Sequence, residues 1–207
     1  LGETMNKEVL QSCGKYSGLK HQVLSGQPLY HHVATLLAEG KIIGWVQGRA
    51  EFGPRALGNR SILADPRSVD MKDALNSRVK FREEFRPFAP SILHEYGDDY
   101  FENYQSSPYM ERTLKFKQSV WDLVPAVVHE DKTGRAQSVT REANEKYYDL
   151  ISAFNNITGV PILINTSFNV MGKPIIHTVE DALSVFFTSG LDVLVIEDRV
   201  FNKNDFQ

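Results

Sequence analysis

The sequence is poor in cysteine: Cys13 is its one thiol among 207 residues, so no disulfide bond can form within the chain. We therefore expect a reducing, cytoplasmic location. Cys13 has no recognisable base beside it, which favours a structural role over a nucleophilic one. The sequence also shows no run of 18 apolar residues and no recognisable signal peptide, which is consistent with that location.

Familiar catalytic patterns are missing as well. The sequence contains no Walker A loop, no dinucleotide fingerprint and no evident Ser/His/Asp or Cys/His set. Its six histidines show no spacing typical of a metal site, so we expect no metal ligand among them. The usual nucleotide, metal and nucleophile motifs therefore give no starting point.

Excess basic charge is also lacking. The formal net charge is −3 and the pI is near 6.1, which disfavours a strongly basic nucleic-acid-binding protein. The charge is nevertheless uneven: residues 49–86 hold nine Lys/Arg and six Asp/Glu, whereas the remainder holds 14 and 20. This distribution fits a local site for a small anionic molecule better than a broad basic surface.

Residues 48–67 are rich in arginine and contain three glycines and two prolines. A guanidinium group binds a planar oxyanion through paired hydrogen bonds, and glycine lets the backbone approach a ligand closely. The first hypothesis is an anion site, with phosphate as the leading candidate. The alternative is a surface loop whose arginines pair with Glu51 and Asp65. The four arginines are Arg49, Arg55, Arg60 and Arg67.

A second basic cluster lies in residues 80–90, where a predicted helix ends. Lys80, Arg82 and Arg86 could reach a phosphate there while the neighbouring aromatic residues pack below. Alternatively, Lys80 and Arg82 simply complement the dipole at the C-terminus of the helix. Arg86 stands between two apolar residues, a context in which a charge needs a partner.

Two further candidates follow in the second half of the chain. Asn165 and Ser167 come directly after a predicted buried strand, and ligands gather at the carboxyl ends of strands in α/β sheets. Ordinary turn chemistry is the alternative for both residues. Arg135 follows a predicted hairpin turn, and taken alone it is best interpreted as a surface residue.

Apolar periodicity and capping residues predict alternating helices and strands. A hairpin over residues 124–140 interrupts the alternation, so we predict an α/β fold with a mixed sheet. Residues 1–27 are expected to form a linker or extended arm, and residues 28–207 a single domain. The predicted helices cover residues 28–39, 69–79, 144–158 and 178–189, with Ser68, Asn144 and Thr178 as N-caps of the last three. The predicted strands cover residues 42–47, 62–64, 88–93, 124–129, 135–140, 161–164 and 193–196.

Three segments then identify a family. Residues 51–67, 85–91 and 165–169 closely resemble the C-terminal domain of the O-carbamoyltransferases, which include nodulation-factor and antibiotic-modifying enzymes. The segments occur in the family order. The resemblance implies a YrdC-like fold, a twisted mixed β-sheet with flanking helices.

The resemblance also implies a chemistry. Carbamoyl phosphate and ATP would yield a carbamoyl-adenylate held in this domain, and Mg²⁺ would arrive with ATP. A separate, metal-dependent N-terminal transferase domain would pass the carbamoyl group to a hydroxyl of an acceptor. Side chains of the family that hold the adenylate fall on Arg55, Lys80, Arg135, Asn165 and Ser167.

Catalysis of this kind needs positioning and charge neutralisation rather than a protein nucleophile. We expect Arg55, Lys80 and Ser167 to supply it, with Arg60, Arg82 and Arg86 as further ligands of the nucleotide. Two other functions remain open. The chain could be an RNA- or nucleotide-binding YrdC-like module without independent catalysis, although the acidic remainder argues against RNA. It could also be inert until the N-terminal domain completes its site.

Overall fold

The computed structural model describes residues 2–16, 18–170 and 172–206, and the side chains of residues 7 and 13–16 lie outside that description, including that of Cys13. The described residues contain nine strands and six α-helices. The strands are β1 (Gln22–Val23), β2 (Ile43–Val46), β3 (Arg60–Ala64), β4 (Ala89–Leu93), β5 (Arg112–Lys115), β6 (Thr133–Val139), β7 (Ile162–Ser167), β8 (Val193–Ile196) and β9 (Arg199–Asn202). The helices are α1 (Lys7–Tyr16), α2 (Gln27–Ala38), α3 (Asp70–Leu75), α4 (Gly97–Tyr100), α5 (Glu145–Thr158) and α6 (Val179–Thr188).

One mixed sheet contains all nine strands in the order β1-β9-β8-β2-β3-β7-β4-β6-β5. β2 is parallel to β8 and β4 is parallel to β6, while the other neighbouring pairs are antiparallel. β2, β3 and β7 therefore lie at the centre of the sheet, and β4 lies next to β7. The predicted mixed α/β fold is confirmed.

Helix α5 shows why the local sequence forms these elements. The side chain of Asn144 caps the helix by accepting a hydrogen bond from the backbone N–H of Tyr147 at 3.2 Å. Gly159 ends the helix in a left-handed conformation, φ +74°. Tyr147 and Phe154 are fully buried, and α5 packs against α2 and the strands beneath it. The predicted cap, core face and end of this helix are all confirmed.

The N-terminal segment differs from the predicted extended arm. Residues 1–27 contain α1 and β1, and β1 pairs with β9 at one edge of the sheet. Met5 and Leu10 are buried in the core although they show no helical periodicity. The segment folds back because Thr4 forms an antiparallel bridge with Arg49. The domain boundary at residue 27 stays a prediction.

The helix predicted over residues 69–79 is only half α-helical. It starts without the predicted Ser68 cap, because Val69 occupies the cap position and no side chain bonds there. After α3 the chain widens into a π-helical turn, Asn76–Lys80. Buried Asn76 then donates to the backbone carbonyls of Glu84 and Arg86, so it fixes the loop that follows.

The hairpin predicted over residues 124–140 forms only in part. Its second strand is β6, but its first run is a short 3₁₀ turn, Pro125–Val127. β6 pairs with β4 and with β5, and β5 comes from a segment in which no strand was predicted. The prediction was wrong because a hairpin turn in the sequence does not fix which strand fills the neighbouring edge. No helix among the described residues is long and apolar enough to cross a membrane.

Candidate functional site

A cavity of about 410 Å³ opens where β7 approaches the arginine-rich loop. Residues from five separate parts of the chain line it: the loop before β3, the loop before β4, β5, the start of β6 with the turn before it, and the end of β7. Its charged lining consists of three arginines and one aspartate, namely Arg55, Arg82, Arg135 and Asp131. The cavity is therefore suited to an anionic ligand.

The arginine-rich loop is held from inside by a carboxylate. The Oε1 atom of Glu51 accepts hydrogen bonds from the backbone N–H groups of Leu57 at 2.6 Å and Asn59 at 2.7 Å. It also lies 3.3 Å from the N–H of Arg60. Gly58 has φ +107°, and a Cβ atom there would lie 2.3 Å from the ring of Tyr147. The loop can pack this closely only because residue 58 is glycine.

Arg60 does not reach the cavity, although it was predicted as a ligand. Its side chain is fully buried, and its guanidinium donates to the carbonyl oxygens of Gln47, Gly48, Asn59 and Glu3 at 3.0–3.2 Å. Burial lowers the pKa of Arg60, and the nearby carboxylates oppose that shift. Arg60 therefore cross-links the base of the loop.

Two other arginines of the segment also have partners away from the cavity. The guanidinium of Arg67, at the surface, pairs with the buried carboxylate of Asp65 at 2.6 Å. Arg49 donates to the carbonyl oxygen of Gly2 at 3.0 Å. The surface-loop alternative therefore describes Arg67 correctly, whereas Arg55 and Arg60 have other environments.

Arg55 and Arg135 come together at the cavity from residues 80 positions apart. Within the described residues, neither guanidinium forms a hydrogen bond or an ion pair, and both side chains are exposed. Partial burial and then the positive charge of Arg135 lower the pKa of Arg55. Two cations that repel each other and have no ion-pair partner among the described residues form a site that an anion would stabilise.

Arg82 lines the cavity but Arg86 does not. The Nε of Arg82 donates to Asn76 Oδ1 at 2.7 Å, and its guanidinium lies 4.7 Å from the centre of the Phe88 ring. Burial and then the charge of Arg86 lower the pKa of Arg82. Arg86 itself is exposed on the outer side of the loop, 3.9 Å from Glu83. The prediction that Arg86 lies in apolar surroundings was wrong, because the loop that carries it is exposed to solvent.

Lys80 lies behind the cavity wall. Its side chain is buried, with 4% exposed. The Nζ atom donates to the carbonyl oxygen of Ser167 at 2.6 Å. It also donates to two oxygens of Asn169, the backbone oxygen at 3.0 Å and Oδ1 at 2.8 Å. Burial and then Arg82 lower the pKa of Lys80 to about 7. The hydrogens of the ammonium group are committed to the turn after β7, so Lys80 fixes the position of Ser167.

Asn165 and Ser167 reach the cavity from alternate positions of β7. The Nδ2 of Asn165 donates to the Ala56 carbonyl at 3.1 Å and to Gln137 Oε1 at 2.9 Å. Its Oδ1 is buried and has no partner among the described residues. Ser167 Oγ donates to Asn169 Oδ1 at 2.8 Å. The Asn165 amide oxygen is thus able to accept a hydrogen bond from a ligand N–H or O–H.

Sequence reasoning missed several residues of the site. Gln137 is buried, and its Nε2 donates to the carbonyl of Leu57 at 2.9 Å, so it ties β6 to the arginine-rich loop. His129 and Thr133 line the cavity, and burial lowers the pKa of His129. They were missed because the segment was predicted as a plain hairpin. Thr133 could have been found, since it lies two positions before Arg135 on the same face of β6.

The geometry supports binding and positioning rather than covalent catalysis by a protein group. The cavity holds guanidinium, amide and hydroxyl groups around a central space. Across the described residues there is no group of three or more His, Cys, Asp or Glu that could hold a metal ion. Such a site can neutralise and orient a phosphorylated molecule.

Comparisons with known proteins agree with this geometry. The family model for the carbamoyltransferase C-terminus matches residues 34–203. The chain is 50% identical over 173 residues to nodulation protein NolNO of Sinorhizobium fredii, covering 82% of this chain and 25% of that protein. It is 48% identical over 166 residues to nodulation protein NolO of Bradyrhizobium diazoefficiens, covering 79% and 30%. The chain thus spans between a quarter and a third of these two relatives.

A solved structure shares the fold. Full-length HypF in its phosphate- and nucleotide-bound form matches with a TM-score of 0.53 and 19% identity, covering 89% of this chain and 22% of HypF. The YrdC-like fold expected from the resemblance is therefore confirmed. From the family match over most of its length, the chain belongs to the carbamoyltransferase C-terminus family.

Proposed function

We propose that this chain is the adenylate-forming domain of an O-carbamoyltransferase, with ATP and carbamoyl phosphate as substrates. The observation that carries the proposal is the pairing of Arg55 and Arg135, two cations without a partner in the described structure that face one cavity beside Asn165 and Ser167. Membership of the family supports it. HypF, which shares the fold, was solved in a phosphate- and nucleotide-bound form, and this supports the proposal further.

The reaction balances without a protein nucleophile. Water converts carbamoyl phosphate to carbamate and inorganic phosphate. A carbamate oxygen then attacks the α-phosphorus of ATP, forming the new O–P bond while the bond to pyrophosphate breaks. The negative charge on the phosphate oxygens is highest during this displacement, so cationic groups held in place lower the barrier.

Each cavity side chain has a distinct task in this proposal. Arg55 and Arg135 bind phosphate oxygens from the two sides of the cavity, and Arg82 adds charge at its rear. The Ser167 hydroxyl, which in this structure donates to Asn169 Oδ1, rotates to donate to the substrate from a position set by Lys80. Asn165 offers its buried Oδ1 to a donor, and the NH₂ of a carbamoyl group is one.

Magnesium and the acceptor belong to the rest of the reaction. We expect Mg²⁺ to enter with ATP, bound through the phosphates. The carbamoyl group would pass to a hydroxyl acceptor in an N-terminal transferase domain, as in the longer relatives that this chain matches in part. The acceptor is a property of that domain.

Calorimetric titration with Mg²⁺-ATP tests the site. Arg55→Ala and Arg135→Ala should each weaken ATP binding by about tenfold or more, because each removes a charge-assisted hydrogen bond worth about 1.5–3 kcal/mol. Arg86→Ala is the matched control, since Arg86 is exposed outside the cavity. Unchanged ATP affinity in both cavity variants would contradict the proposal.

A second experiment tests the chemistry. Pyrophosphate release from ATP should depend on added carbamoyl phosphate, and it should fall in Arg135→Ala. The assay is then repeated with the N-terminal transferase domain added. This comparison distinguishes a domain that is active alone from one that needs the transferase domain. If the rate of pyrophosphate release is the same with and without carbamoyl phosphate in both assays, the adenylate step is contradicted.

A further inference from the structure

The carboxylate of Glu51 occupies an unusual position beneath the arginine-rich loop. One of its oxygens, Oε1, faces three backbone N–H groups, those of Leu57, Asn59 and Arg60, at 2.6, 2.7 and 3.3 Å. Its other oxygen, Oε2, is buried and makes no hydrogen bond to the part of the chain that the structure describes. Glu51 therefore directs its charge at the backbone of its own loop, and none of the described side chains forms an ion pair with it.

These bonds close the chain into a short ring. Residues 51–57 begin at the carboxylate and return to it at the Leu57 N–H. Arg55 lies at the outer part of this ring, next to Pro54, and both residues line the cavity. The remaining outer residues, Phe52 and Gly53, are exposed and bury nothing. Packing of these outer residues therefore contributes little to the shape of the ring. Hydrogen bonds hold it: those that Glu51 accepts, and the one from Asn165 to the carbonyl of buried Ala56, which fixes the residue after Arg55.

The base of the ring is fixed independently. Arg60 cross-links the carbonyl oxygens below it, and Gln137 holds the Leu57 carbonyl. Asn144 donates to Asn59 Oδ1 at 2.9 Å, which ties the loop to the N-terminus of α5. None of these three side chains contacts residues 52–55 through a hydrogen bond in the described structure. The hydrogen bonds that Glu51 accepts are thus the ones that close the ring containing Arg55.

We propose that Glu51 is a positioning residue: by accepting the Leu57 and Asn59 N–H groups it closes the 51–57 ring and holds the Arg55 guanidinium over the cavity. The identity of the ligand as a nucleotide rests on the proposed function, but the closure of the ring does not. The Glu51 carboxylate forms no ion pair with a described side chain, and the arginine whose pKa is lowered by burial and raised by Glu51 is Arg60, below the loop. The backbone contacts of Glu51 are what make it useful at this place.

A double-mutant cycle distinguishes positioning from a general effect on stability. Glu51→Ala should weaken binding of Mg²⁺-ATP by about tenfold, as Arg55→Ala does, because it releases Arg55. In the Arg55→Ala background, Glu51→Ala should cost less than about twofold more, since the residue it positions is gone. Equal losses in both backgrounds would overturn the inference.

Hydrogen exchange gives a readout that needs no ligand. In Glu51→Ala, the amides of Leu57 and Asn59 should exchange at least about tenfold faster, while amides of β8 keep their protection. Unchanged exchange of these two amides would overturn the inference even if ATP binds. If the wild-type chain binds no ATP, the proposed function fails, and the exchange result still decides the role of Glu51.

Two variants complete the design. Glu51→Gln keeps one acceptor oxygen, so the double-mutant cycle built with it should show the same pattern with smaller losses of ATP affinity. If Glu51→Ala does not fold, the cycle with Glu51→Gln tests the inference in its place. Glu180→Ala removes an exposed glutamate of α6 that makes no hydrogen bond or ion pair in the described structure, and it should change neither binding nor exchange. Rescue of Arg55-dependent binding by glutamine is an outcome that a purely structural defect would not produce.

Discussion

Arginines five positions apart perform opposite tasks in this protein. Arg60 is fully buried and its two terminal nitrogens donate to backbone carbonyls, so it contributes to the architecture of the loop. Arg55 is exposed and has no partner in the described structure, so its charge is available to a ligand. A guanidinium thus becomes a ligand or a cross-link according to whether backbone oxygens surround it.

The pH dependence of stability should identify the buried lysine. Burial lowers the pKa of Lys80 to about 7 in the folded protein, against an ordinary value of 10.5. Between these values the unfolded chain binds more protons than the folded chain, so stability rises with pH across that window. Thermal melting should show the wild-type protein gaining stability from about pH 7 to about pH 9.

The Lys80→Met variant should not gain stability between about pH 7 and about pH 9. The Lys173→Met variant, changed at an exposed lysine, should gain stability as the wild type does. The same pH dependence in Lys80→Met and in wild type would show that another group is responsible. At the lower pH the folded protein carries the cost of a buried ammonium, which methionine does not. The two melting curves should therefore differ most near neutral pH.

Two glycines with positive φ allow a matched comparison. Gly58→Ala would place a Cβ 2.3 Å from the Tyr147 ring, whereas Gly53→Ala, at φ +123°, would meet nothing within 4 Å. Both substitutions destabilise the fold by placing a Cβ on a backbone with positive φ, but only Gly58→Ala also brings that Cβ into overlap with a ring. It should be less stable than Gly53→Ala by about 2 kcal/mol in urea unfolding. Equal losses would mean that Tyr147 moves aside freely.

Sequence patterns predicted some residues of the cavity lining and wrongly included others, because a pattern does not show which side chains are buried. Arg55, Arg135, Asn165 and Ser167 do share a cavity, but their role as ligands stays a prediction. The pattern could not separate them from Arg60, because residue type and spacing are the same for a buried and an exposed arginine. Distinguishing them needs the long-range contacts, such as that from Arg60 to Glu3, which no local pattern contains.

At the scale of elements, side-chain caps helped to define the helices, although α2 was predicted closely from Pro28 and Gly40 without one. α5 and α6 have side-chain caps and both were predicted closely. α3 has none, and there the chain changes to a π-helical turn that local propensity does not signal. The π turn orients Asn76 and Lys80 inward, and both then hold loops of the cavity.

The capping box of α6 should contribute stability without affecting binding. The Thr178 side chain accepts from the Asp181 N–H at 3.1 Å, and Asp181 Oδ2 accepts from the Thr178 N–H at 3.0 Å. Thr178→Ala should lower the free energy of unfolding by about 1 kcal/mol. Because α6 contributes no residue to the cavity lining, ATP affinity should stay at the wild-type value. Thr178→Ser, which retains the hydroxyl, should restore most of the stability.

On the scale of the whole molecule, the sheet order explains why the cavity exists. Neighbours in the centre of the sheet come from distant parts of the chain, so the loop before β3, the start of β6 and the end of β7 meet. Alternation of helices and strands predicted the class of this fold. It could not predict the strand order, because many orders satisfy the same alternation.

The N-terminal segment should prove part of the folded unit. Deleting residues 1–16 removes the buried side chains of Met5 and Leu10 and the Glu3 carbonyl that accepts from Arg60. We expect a loss of at least about 3 kcal/mol in the free energy of unfolding, measured in urea. A deletion with wild-type stability would support the linker assignment of residues 1–27 instead. Glu3→Ala is the control, since it keeps the backbone oxygen.

The hydrogen bond from Arg60 to the Glu3 carbonyl joins two distant points of the chain at one guanidinium, which also holds Gly48. A mechanical load applied ahead of Glu3 would thus arrive at the arginine-rich loop before it reached the interior strands. In a single-molecule pulling experiment the first rupture should be the detachment of residues 2–4. Tension on this segment would in this way strain the arginine-rich loop before the central strands separate.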